Sequence, residues 1–343
     1  MAKLLLVGDM HHMENYGHAD KFPDRRLDER KGIEDAIVKA SEGCDGVVLM
    51  GDIFNSRNNT SVTIRHFTEF LERFACTVYL ISGNHSSDAA GNTAIDYLLE
   101  IKGKNWVVFP TKVSTVEFED GTKFTLVPYQ RPSWHQGIEN TEQLVEAVLS
   151  QIPEGNDFVA IHHCLQGTKT ESGQSVDEFH EAIFPTDRLL AKSKRVFGSH
   201  IHLAQRKGDN VFVVGAVMNN DVGEDKDKRV IVYDTVADTV ESITLPGRKL
   251  TKLVNPAEAE IDAVTEKYPD GYPGLIRIVS EKEMKVPEGL AEAVVFQHMP
   301  KDERRKSSED VTDYSMESLL ATYAKARSID LDELMAGYKL ISE

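Results

Sequence analysis

The sequence contains few cysteines and no long apolar run. Its three cysteines, Cys44, Cys76 and Cys164, are too few and too widely spaced for a disulfide framework or a thiolate zinc site. No apolar run of about 18 residues occurs, so no membrane-spanning helix is predicted. The apolar stretch Leu4–Val7 is too short for a signal peptide and predicts a strand instead. We therefore expect a cytoplasmic protein that does not interact with membranes.

Basic residues are also scarce, because 39 lysines and arginines stand against 56 acidic residues and the net charge is −17. Proteins that bind nucleic acid unaided usually carry a basic surface, since phosphate neutralisation drives that binding. Either the substrate is not a large polyanion, or metal ions, a local basic patch or a partner supplies the positive charge. With 41% hydrophobic residues, the chain can nevertheless bury a large core.

Short apolar runs alternate with helix-periodic stretches over residues 1–245, which predicts a mixed α/β domain with antiparallel additions. Strands are predicted at Lys3–Val7, Gly46–Met50, Val78–Ser82, Phe158–Ile161 and Arg195–Phe197, and the clearest helices at Leu27–Ser41 and Ser61–Phe74. The pattern changes around Pro246-Gly247. We predict a large domain at 1–248, a small α/β domain at 249–300, a charged linker at 301–312 and a pair of amphipathic helices at 313–343.

Polar clusters follow five of the predicted strands. The clusters contain Asp9 and His11, then Asp52, then Asn84 and His85, then His162 and His163, and finally His200 and His202. Each cluster alone is more often a turn or a structural histidine than a site. Five clusters at the carboxyl ends of strands, where ligands of α/β sheets gather, instead predict one shared site.

The shared chemistry of these clusters is metal binding. Carboxylate and amide oxygens mixed with imidazoles suit manganese, iron or zinc, but not calcium. Seven of these residues are candidate ligands, which exceed one coordination shell and fit two metal ions roughly 3.5–4 Å apart. They are Asp9, His11, Asp52, Asn84, His162, His200 and His202. Asp52 lies centrally in the set and is the natural bridge between the ions.

The same motifs resemble a known family. Asp9-x-His11, Gly51-Asp52, Gly83-Asn84-His85, His162 and Gly198-x-His200-x-His202 resemble the five motifs of the calcineurin-like metallophosphoesterases. The resemblance covers about residues 1–245 and implies two stacked mixed β-sheets flanked by helices, with two metal ions at one edge.

A closer resemblance is to the SbcD-type nuclease subunit of DNA double-strand-break repair and to related phage recombination nucleases. It rests on Gly51–Arg57, Leu126–Tyr129 and Leu245–Arg248. It implies a DNA exonuclease/endonuclease that works with an SbcC-type ABC ATPase and forms a homodimer in the cytoplasm, or in the host cytoplasm if phage-encoded. By position, residues 249–300 would then be a DNA-capping domain.

The resemblance also implies a role for each ligand. One ion would be held by Asp9, His11, Asp52 and His202, and the other by Asp52, Asn84, His162 and His200. Mn²⁺ is the first expectation, with Mg²⁺, Fe²⁺ or Zn²⁺ as alternatives. A hydroxide bridging both ions would attack phosphorus, which gives Asp52 a catalytic role. His85 would contact the scissile phosphate and assist the leaving group, unless it is only a turn histidine.

The sequence departs from the family pattern at two positions and leaves one ligand open. Ser86 follows His85 where the family has aspartate, and Asp88 either substitutes for it or does not. Asn55 replaces another usual carboxylate. We expect these changes to alter the surroundings of the ions without loss of metal. Strand alternation places His162 and His163 on opposite faces, and the family pattern favours His162 as the ligand.

Two further groups of residues have alternative interpretations. In a nuclease, four arginines would contact DNA phosphates, although helix arginines of this kind are often only solvated: Arg25, Arg26, Arg30 and Arg57. The apolar stripes of the final helices either fold back on the body or dock on the coiled coil of the ATPase, with Leu320, Tyr323 and Leu334 as anchors.

Three classes of function therefore remain at this point. The first is the DNA nuclease subunit with its ATPase partner. The second is a stand-alone phosphodiesterase or phosphomonoesterase for a small substrate, which would explain the acidic charge without a partner. The third is a non-catalytic scaffold, which the intact ligand set disfavours.

Overall fold

The structure is a computed structural model that describes residues 2–13, 23–220, 224, 226–267, 274–280, 285–287, 290 and 293–298. The helices are α1 (Pro23–Ala40), α2 (Ser61–Leu71), α3 (Thr141–Gln151), α4 (Thr186–Leu190) and α5 (Glu258–Lys267). The strands are β1 (Lys3–Val7), β2 (Gly46–Met50), β3 (Thr77–Ile81), β4 (Trp106–Phe109), β5 (Ser114–Glu117), β6 (Lys123–Val127), β7 (Asn156–Ile161), β8 (Cys164–Leu165), β9 (Ile183–Phe184), β10 (Ser193–Gly198), β11 (Gln205–Lys207), β12 (Val211–Val213), β13 (Arg229–Asp234), β14 (Thr239–Thr244), β15 (Lys249–Val254), β16 (Gly274–Ser280) and β17 (Val294–His298).

Two six-stranded mixed sheets form the body of the protein. The first has the order β14-β13-β1-β2-β3-β4, and its β1 to β4 run parallel to one another. The second has the order β11-β12-β10-β7-β6-β5, and its central strands β12, β10, β7 and β6 are also parallel. Antiparallel strands form both edges of the second sheet and the β14 edge of the first. The fold prediction of two mixed sheets flanked by helices is confirmed.

The two sheets pack face to face, and helices cover their outer faces. Leu4 and Leu6 of β1 point into the core between the sheets, where they join Phe124 and Phe158. The alternate residues of β1 instead pack in the core beneath α1 and α2. On the second sheet, α3 covers the outer face in the same way. Both faces of the central strands are buried, and their sequences are therefore almost continuously apolar.

A small third sheet follows the body. It consists of β15, β16 and β17 in parallel, and α5 packs on it through Ile261 beside Ile276 and Ile278. A small α/β domain was predicted at 249–300, and the described residues of this range include the helix α5 and three strands. Residues 301–343, which include the predicted linker and helical pair with Leu320, Tyr323 and Leu334, lie outside the described residues. Within the described part of the chain, no helix combines the length and apolarity required to span a membrane.

Candidate metal centre

The polar clusters come together where parallel strands of both sheets end. Asp9 and His11 follow β1, Asp52 follows β2 and Asn84 follows β3 in the first sheet. The second sheet contributes His162 after β7, and His200 and His202 after β10. Since the two sheets are stacked, their carboxyl edges adjoin, and all seven predicted ligands meet there. The structure therefore unites residues that are up to 193 positions apart in the chain.

One group of possible ligands consists of Asp9, His11 and His202, whose candidate metal-binding atoms lie within 4.8 Å of one another. The Nε2 atoms of His11 and His202 face each other at 2.9 Å. The backbone amide of His200 donates to both carboxylate oxygens of Asp9, at 3.0 and 3.1 Å, and so fixes that carboxylate. Asp52 and His11 also form part of a second such group, together with His85.

The remaining ligands gather around Asp52 and Asn84. Nε2 of His162 lies 3.3 Å from Oδ2 of Asp52 and 3.2 Å from Oδ1 of Asn84. Nδ1 of His200 lies 2.9 Å from the same Asn84 oxygen. Asp52 thus lies between the two groups, in the position expected of a bridge.

The protonation states indicated by the hydrogen bonds show that these groups fit a cation. Nδ1 of His202 faces a carboxylate oxygen of Glu224 at 2.8 Å, so this nitrogen carries the proton and Nε2 presents a lone pair. Nε2 of His200 likewise faces Glu181 at 2.8 Å, which leaves Nδ1 as the lone pair beside the Asn84 oxygen. The lone pairs of His202 Nε2 and His200 Nδ1 therefore point towards the centre, where a divalent ion could accept them.

The charges of the buried ligands point to the same conclusion. Burial opposes an imidazolium at His162, but the adjacent Asp52 carboxylate outweighs it and raises the pKa of His162 to about 9. His162 in turn holds the pKa of Asp52 well below its usual range, despite burial. Burial lowers the pKa of His11 to about 4 and keeps this ligand neutral. The centre thus favours positive charge between its side chains, and metal binding would displace a proton.

Each of three histidine ligands is oriented by a hydrogen bond on its other ring nitrogen. Nδ1 of His162 donates to the Met50 carbonyl at 2.7 Å and lies 2.9 Å from Ser199 Oγ. Glu181 and Glu224 do the same for His200 and His202. Sequence reasoning missed both glutamates, because each lies in a loop without a recognisable motif. Such partners fix the tautomer and direction of a metal-ligating histidine.

We predict that Glu224→Gln weakens metal binding at His202. Glu224 is buried, and Lys228 pairs with it at 2.9 Å, so its carboxylate is held rigidly against Nδ1 of His202. A neutral amide no longer enforces the tautomer, and affinity for Mn²⁺ is expected to fall by about 10–100-fold. Isothermal titration calorimetry measures the change, and Glu146→Gln, on an exposed face of α3, is the matched control. Unchanged affinity in Glu224→Gln would contradict the orienting role.

His85 lies at the open side of the centre. Its ring centroid is 4.9 Å from that of His11, and its backbone amide donates to Oδ1 of Asp52 at 2.9 Å. Nδ1 of His85 lies 3.2 Å from the Asn55 carbonyl oxygen and donates to it. Nε2 has no hydrogen-bond partner among the described residues, so the ring presents this atom for contact with a substrate.

The structure distinguishes between the adjacent histidines. His162 faces Asp52 and Asn84, whereas Nε2 of His163 accepts from the backbone amide of Gln130 at 3.1 Å. His163 is also stacked on Tyr129, with ring centroids 5.0 Å apart. His162 is therefore the histidine placed at the metal centre, and His163 supports the neighbouring loop.

The departures from the family motif have a visible structural consequence. Ser86 is buried and donates to the Phe54 carbonyl at 3.3 Å. Asp88 does not take the place of the missing aspartate, because it accepts from the amides of its own loop and pairs with Arg57 at 2.6 Å. A backbone carbonyl, that of Asn55, thus holds His85.

The four arginines predicted to contact DNA have different surroundings. Arg26 is buried, donates to the Asn219 carbonyl and pairs with Glu29 at 2.8 Å. Arg30 is also buried and donates to the Met13 carbonyl at 2.7 Å. These contacts favour a structural role for both. Arg57 is half exposed, and the side chain of Arg25 lies outside the described part of the structure.

Unusual backbone conformations occur at the centre. His11, Asp52 and His200 all have positive φ angles, of 45°, 39° and 84°. Residues other than glycine rarely adopt this region, and each such residue costs roughly 1–3 kcal/mol. The preceding Gly51 has φ 94°, and a Cβ there would collide with the ring of His162. Local strain and the absence of a side chain at residue 51 thus allow the ligands to approach one another.

We predict that Gly51→Ala disrupts the centre beyond the ordinary cost of alanine at positive φ. Gly43 is the matched control, because its φ is 77° and a Cβ there would meet no described atom within 4 Å. Gly43→Ala is expected to lower the free energy of unfolding by about 1 kcal/mol, and Gly51→Ala by clearly more, since His162 must move. Urea unfolding measures both. Equal losses in the two variants would show that no collision occurs.

The comparison with known families agrees with this geometry. A family model described as calcineurin-like phosphoesterase matches residues 2–204, which include all seven ligands and His85. The chain belongs to this family. Calcineurin-like phosphoesterases typically bind two divalent metal ions, and the chain carries candidate clusters for them. A solved structure described as a novel archaeal phosphodiesterase is similar over 71% of this chain and 99% of its own, with 13% identity and a TM-score of 0.34. As a calcineurin-like phosphoesterase, the protein is a metal-dependent hydrolase of phosphate esters.

Proposed function

We propose that this protein hydrolyses phosphodiester bonds of DNA, as an SbcD-like nuclease subunit that acts in recombination and repair with an SbcC-type ATPase. The observation that carries the proposal is the convergence of seven metal ligands with His85 beside them at an open edge of the two sheets. Mn²⁺ is the metal we propose, and a homodimer is the assembly we propose.

The seven ligands and His85 would have different roles in hydrolysis. Asp9, His11, Asp52 and His202 would hold one ion, and Asp52, Asn84, His162 and His200 the other. When bound there, such ions would supply Lewis-acid stabilisation of the phosphoryl oxygens and would activate a water for attack. Nδ1 of His85 donates to the Asn55 carbonyl, which directs Nε2 towards the phosphate. In the doubly protonated imidazolium, Nε2 can transfer its proton to the leaving oxygen.

The attachment of the small third sheet supports a nuclease rather than a minimal esterase. Arg248 directly precedes β15, and its Nε pairs with Glu29 of α1 at 3.0 Å. Asn219 donates to the Arg248 carbonyl at 2.8 Å and so joins the same network. The start of the third sheet is thus fixed to the body, where an additional domain could contact a long substrate.

A small-substrate phosphodiesterase is the second candidate, and two observations favour it. The net charge of −17 gives the chain little affinity of its own for a polyanion. A cleft of about 540 Å³ also lies against Glu181, next to His200, and this volume lies within the usual range for small-molecule sites.

Activity on two substrates distinguishes these candidates. With Mn²⁺, the full-length protein is tested on linear double-stranded DNA, with and without a co-expressed SbcC-type ATPase, and on bis(p-nitrophenyl) phosphate. A nuclease subunit is expected to cleave both, and DNA faster when the ATPase and ATP are present. Hydrolysis of the aryl ester with no DNA cleavage under any condition would favour the small-substrate enzyme.

We predict that deletion of residues 311–343 separates partner binding from chemistry. Every proposed ligand lies before residue 203, so hydrolysis of bis(p-nitrophenyl) phosphate is expected to persist at the wild-type rate. Co-purification with the ATPase and ATP-stimulated DNA cleavage are expected to be lost, because the anchors Leu320, Tyr323 and Leu334 are removed. The point variant Leu320→Ala tests the same anchors without truncation. Loss of aryl-ester hydrolysis would instead show that the tail supports the body.

A further inference from the structure

The cleft beside the metal centre has features that the proposed chemistry does not use. It is lined in part by Tyr129, Gln130, Arg131 and Glu181. Glu181 also binds Nε2 of His200, so the cleft and the metal centre share a wall. A group attached to a phosphate at the metal centre could therefore extend directly into this cleft.

Arg131 forms a planar surface within the cleft. Its guanidinium carbon lies 5.5 Å from the ring centroid of Tyr129 and 5.9 Å from that of Trp134. The Trp134 indole donates to the Ala89 carbonyl at 3.1 Å, in the loop that also carries Asn84. Two aromatic rings thus hold the guanidinium in place, and such planes stack well on heteroaromatic bases.

Two polar groups of this wall have unsatisfied hydrogen-bonding capacity. Gln130 is only 2% exposed, and its Oε1 has no partner among the described residues. Nε of Arg131 is likewise buried and, within the described structure, without a hydrogen-bond acceptor. Buried polar groups without partners cost free energy, and a ligand that draws these two side chains towards the cleft would offer them the missing partners.

The charges of the cleft indicate a neutral ligand rather than a second phosphate. Arg131 is accompanied by Glu139 and Glu181, so the carboxylates among the described lining residues offset its charge. A phosphate would gain little there. A nucleobase is planar and neutral, and its edge carries hydrogen-bond donors and acceptors.

We infer that this cleft binds the nucleobase adjacent to the scissile phosphate, with Arg131 as the stacking surface and Gln130 at the edge of the base. The inference rests on the proposed hydrolysis of phosphodiesters at the neighbouring metal centre. With a base bound in the cleft, the substrate is a nucleotide ester, which is either a DNA strand or a small nucleotide.

A pair of chromogenic esters with the same leaving group tests the inference. Thymidine 5′-(p-nitrophenyl phosphate) carries a base, and methyl p-nitrophenyl phosphate does not. Wild-type protein with Mn²⁺ is expected to have a higher kcat/KM for the thymidine ester. Arg131→Ala is expected to lower that value by about 5–150-fold, the range of base-stacking effects, and to change the methyl ester less than about twofold.

Two further variants test whether the plane of the Arg131 guanidinium, and not its charge, causes the lower kcat/KM. Arg131→Lys keeps the charge but loses the plane, so it is expected to resemble Arg131→Ala. Arg65→Ala, which alters an exposed arginine of α2, is expected to resemble the wild type. Wild-type behaviour of Arg131→Lys, or equal losses on both esters, would overturn the inference.

A binding experiment separates this inference from the proposed function. Thymidine 5′-monophosphate and ribose 5-phosphate are titrated into full-length, EDTA-treated protein by calorimetry. Tighter binding of the nucleotide that is lost in Arg131→Ala would support the cleft even if neither ester were hydrolysed. Hydrolysis of both esters with equal kcat/KM, and equal binding of the two ligands, would overturn the cleft and leave phosphodiester hydrolysis intact.

Discussion

Replacement of Asp52 by asparagine is expected to lower phosphodiester hydrolysis by about 10³-fold or more. This carboxylate lies between the two groups of ligands, with Oδ2 3.3 Å from His162 Nε2 and Oδ1 bound to the His85 amide. A neutral amide removes the charge that would be shared between two ions. Since the Lewis-acid contribution of such ions is worth several kcal/mol, its loss corresponds to a rate effect of this size.

Metal content gives the independent readout for Asp52→Asn. Elemental analysis of manganese-loaded protein is expected to show two ions per wild-type chain and one or none in the variant. Asp209→Asn is the matched control, because that side chain is 91% exposed in the turn between β11 and β12. If Asp52→Asn retained both ions and wild-type turnover, the bridging role would be wrong.

The second large effect is expected for His85→Gln, which we predict lowers turnover by ~10²–10⁴-fold without loss of metal. Asp52 is held by the backbone amide of residue 85, and this contact persists whatever the side chain is. The imidazole itself is free to act on the substrate. Loss of the imidazole is expected to lower the rate most for DNA, whose alkoxide leaving group needs a proton. The rate is expected to fall least for esters of p-nitrophenolate, which leaves without a proton.

His11→Gln provides the comparison for this prediction. His11 belongs to two of the candidate ligand groups, so its replacement is expected to reduce metal content as well as turnover. Metal loss of the same extent in His85→Gln would make His85 a ligand or a support. Equal rate losses on DNA and on bis(p-nitrophenyl) phosphate would contradict proton transfer to the leaving group.

Much of the fold could be predicted because local patterns encode it. The predicted β1 and β2 have the observed bounds, since their fully buried residues form apolar runs between turn signals. The α3 helix was missed although Asn140 caps it by accepting from the Gln143 amide, a recognisable start signal. The first strand of the third sheet, β15, was missed because two polar residues interrupt its apolar residues, of which only Leu250 is buried.

Only those residues of the candidate site that directly follow strands could be predicted from the sequence. Asp9, Asp52 and His162 occupy positions that strand ends make conspicuous. Glu181 and Glu224, by contrast, reach their histidines from loops, and no local pattern distinguishes them from other acidic residues. The same limit applies to Arg26. The charged sequence around it suggests an exposed arginine, but its side chain is buried and donates to the Asn219 carbonyl.

The origin of the ligands in two separate sheets links metal binding to the stability of the protein. The three cysteines are unpaired, so no disulfide joins the described parts of the sheets. Asp9, Asp52 and Asn84 follow strands of one sheet and His162, His200 and His202 follow strands of the other, so ions bound by both sets would act as cross-links between the sheets. Each ion present at 100 times its dissociation constant would add about 2.7 kcal/mol to the free energy of unfolding. Conversely, a substitution that loosens the packing of Phe124 on Phe158 between the sheets would lower the affinity for metal.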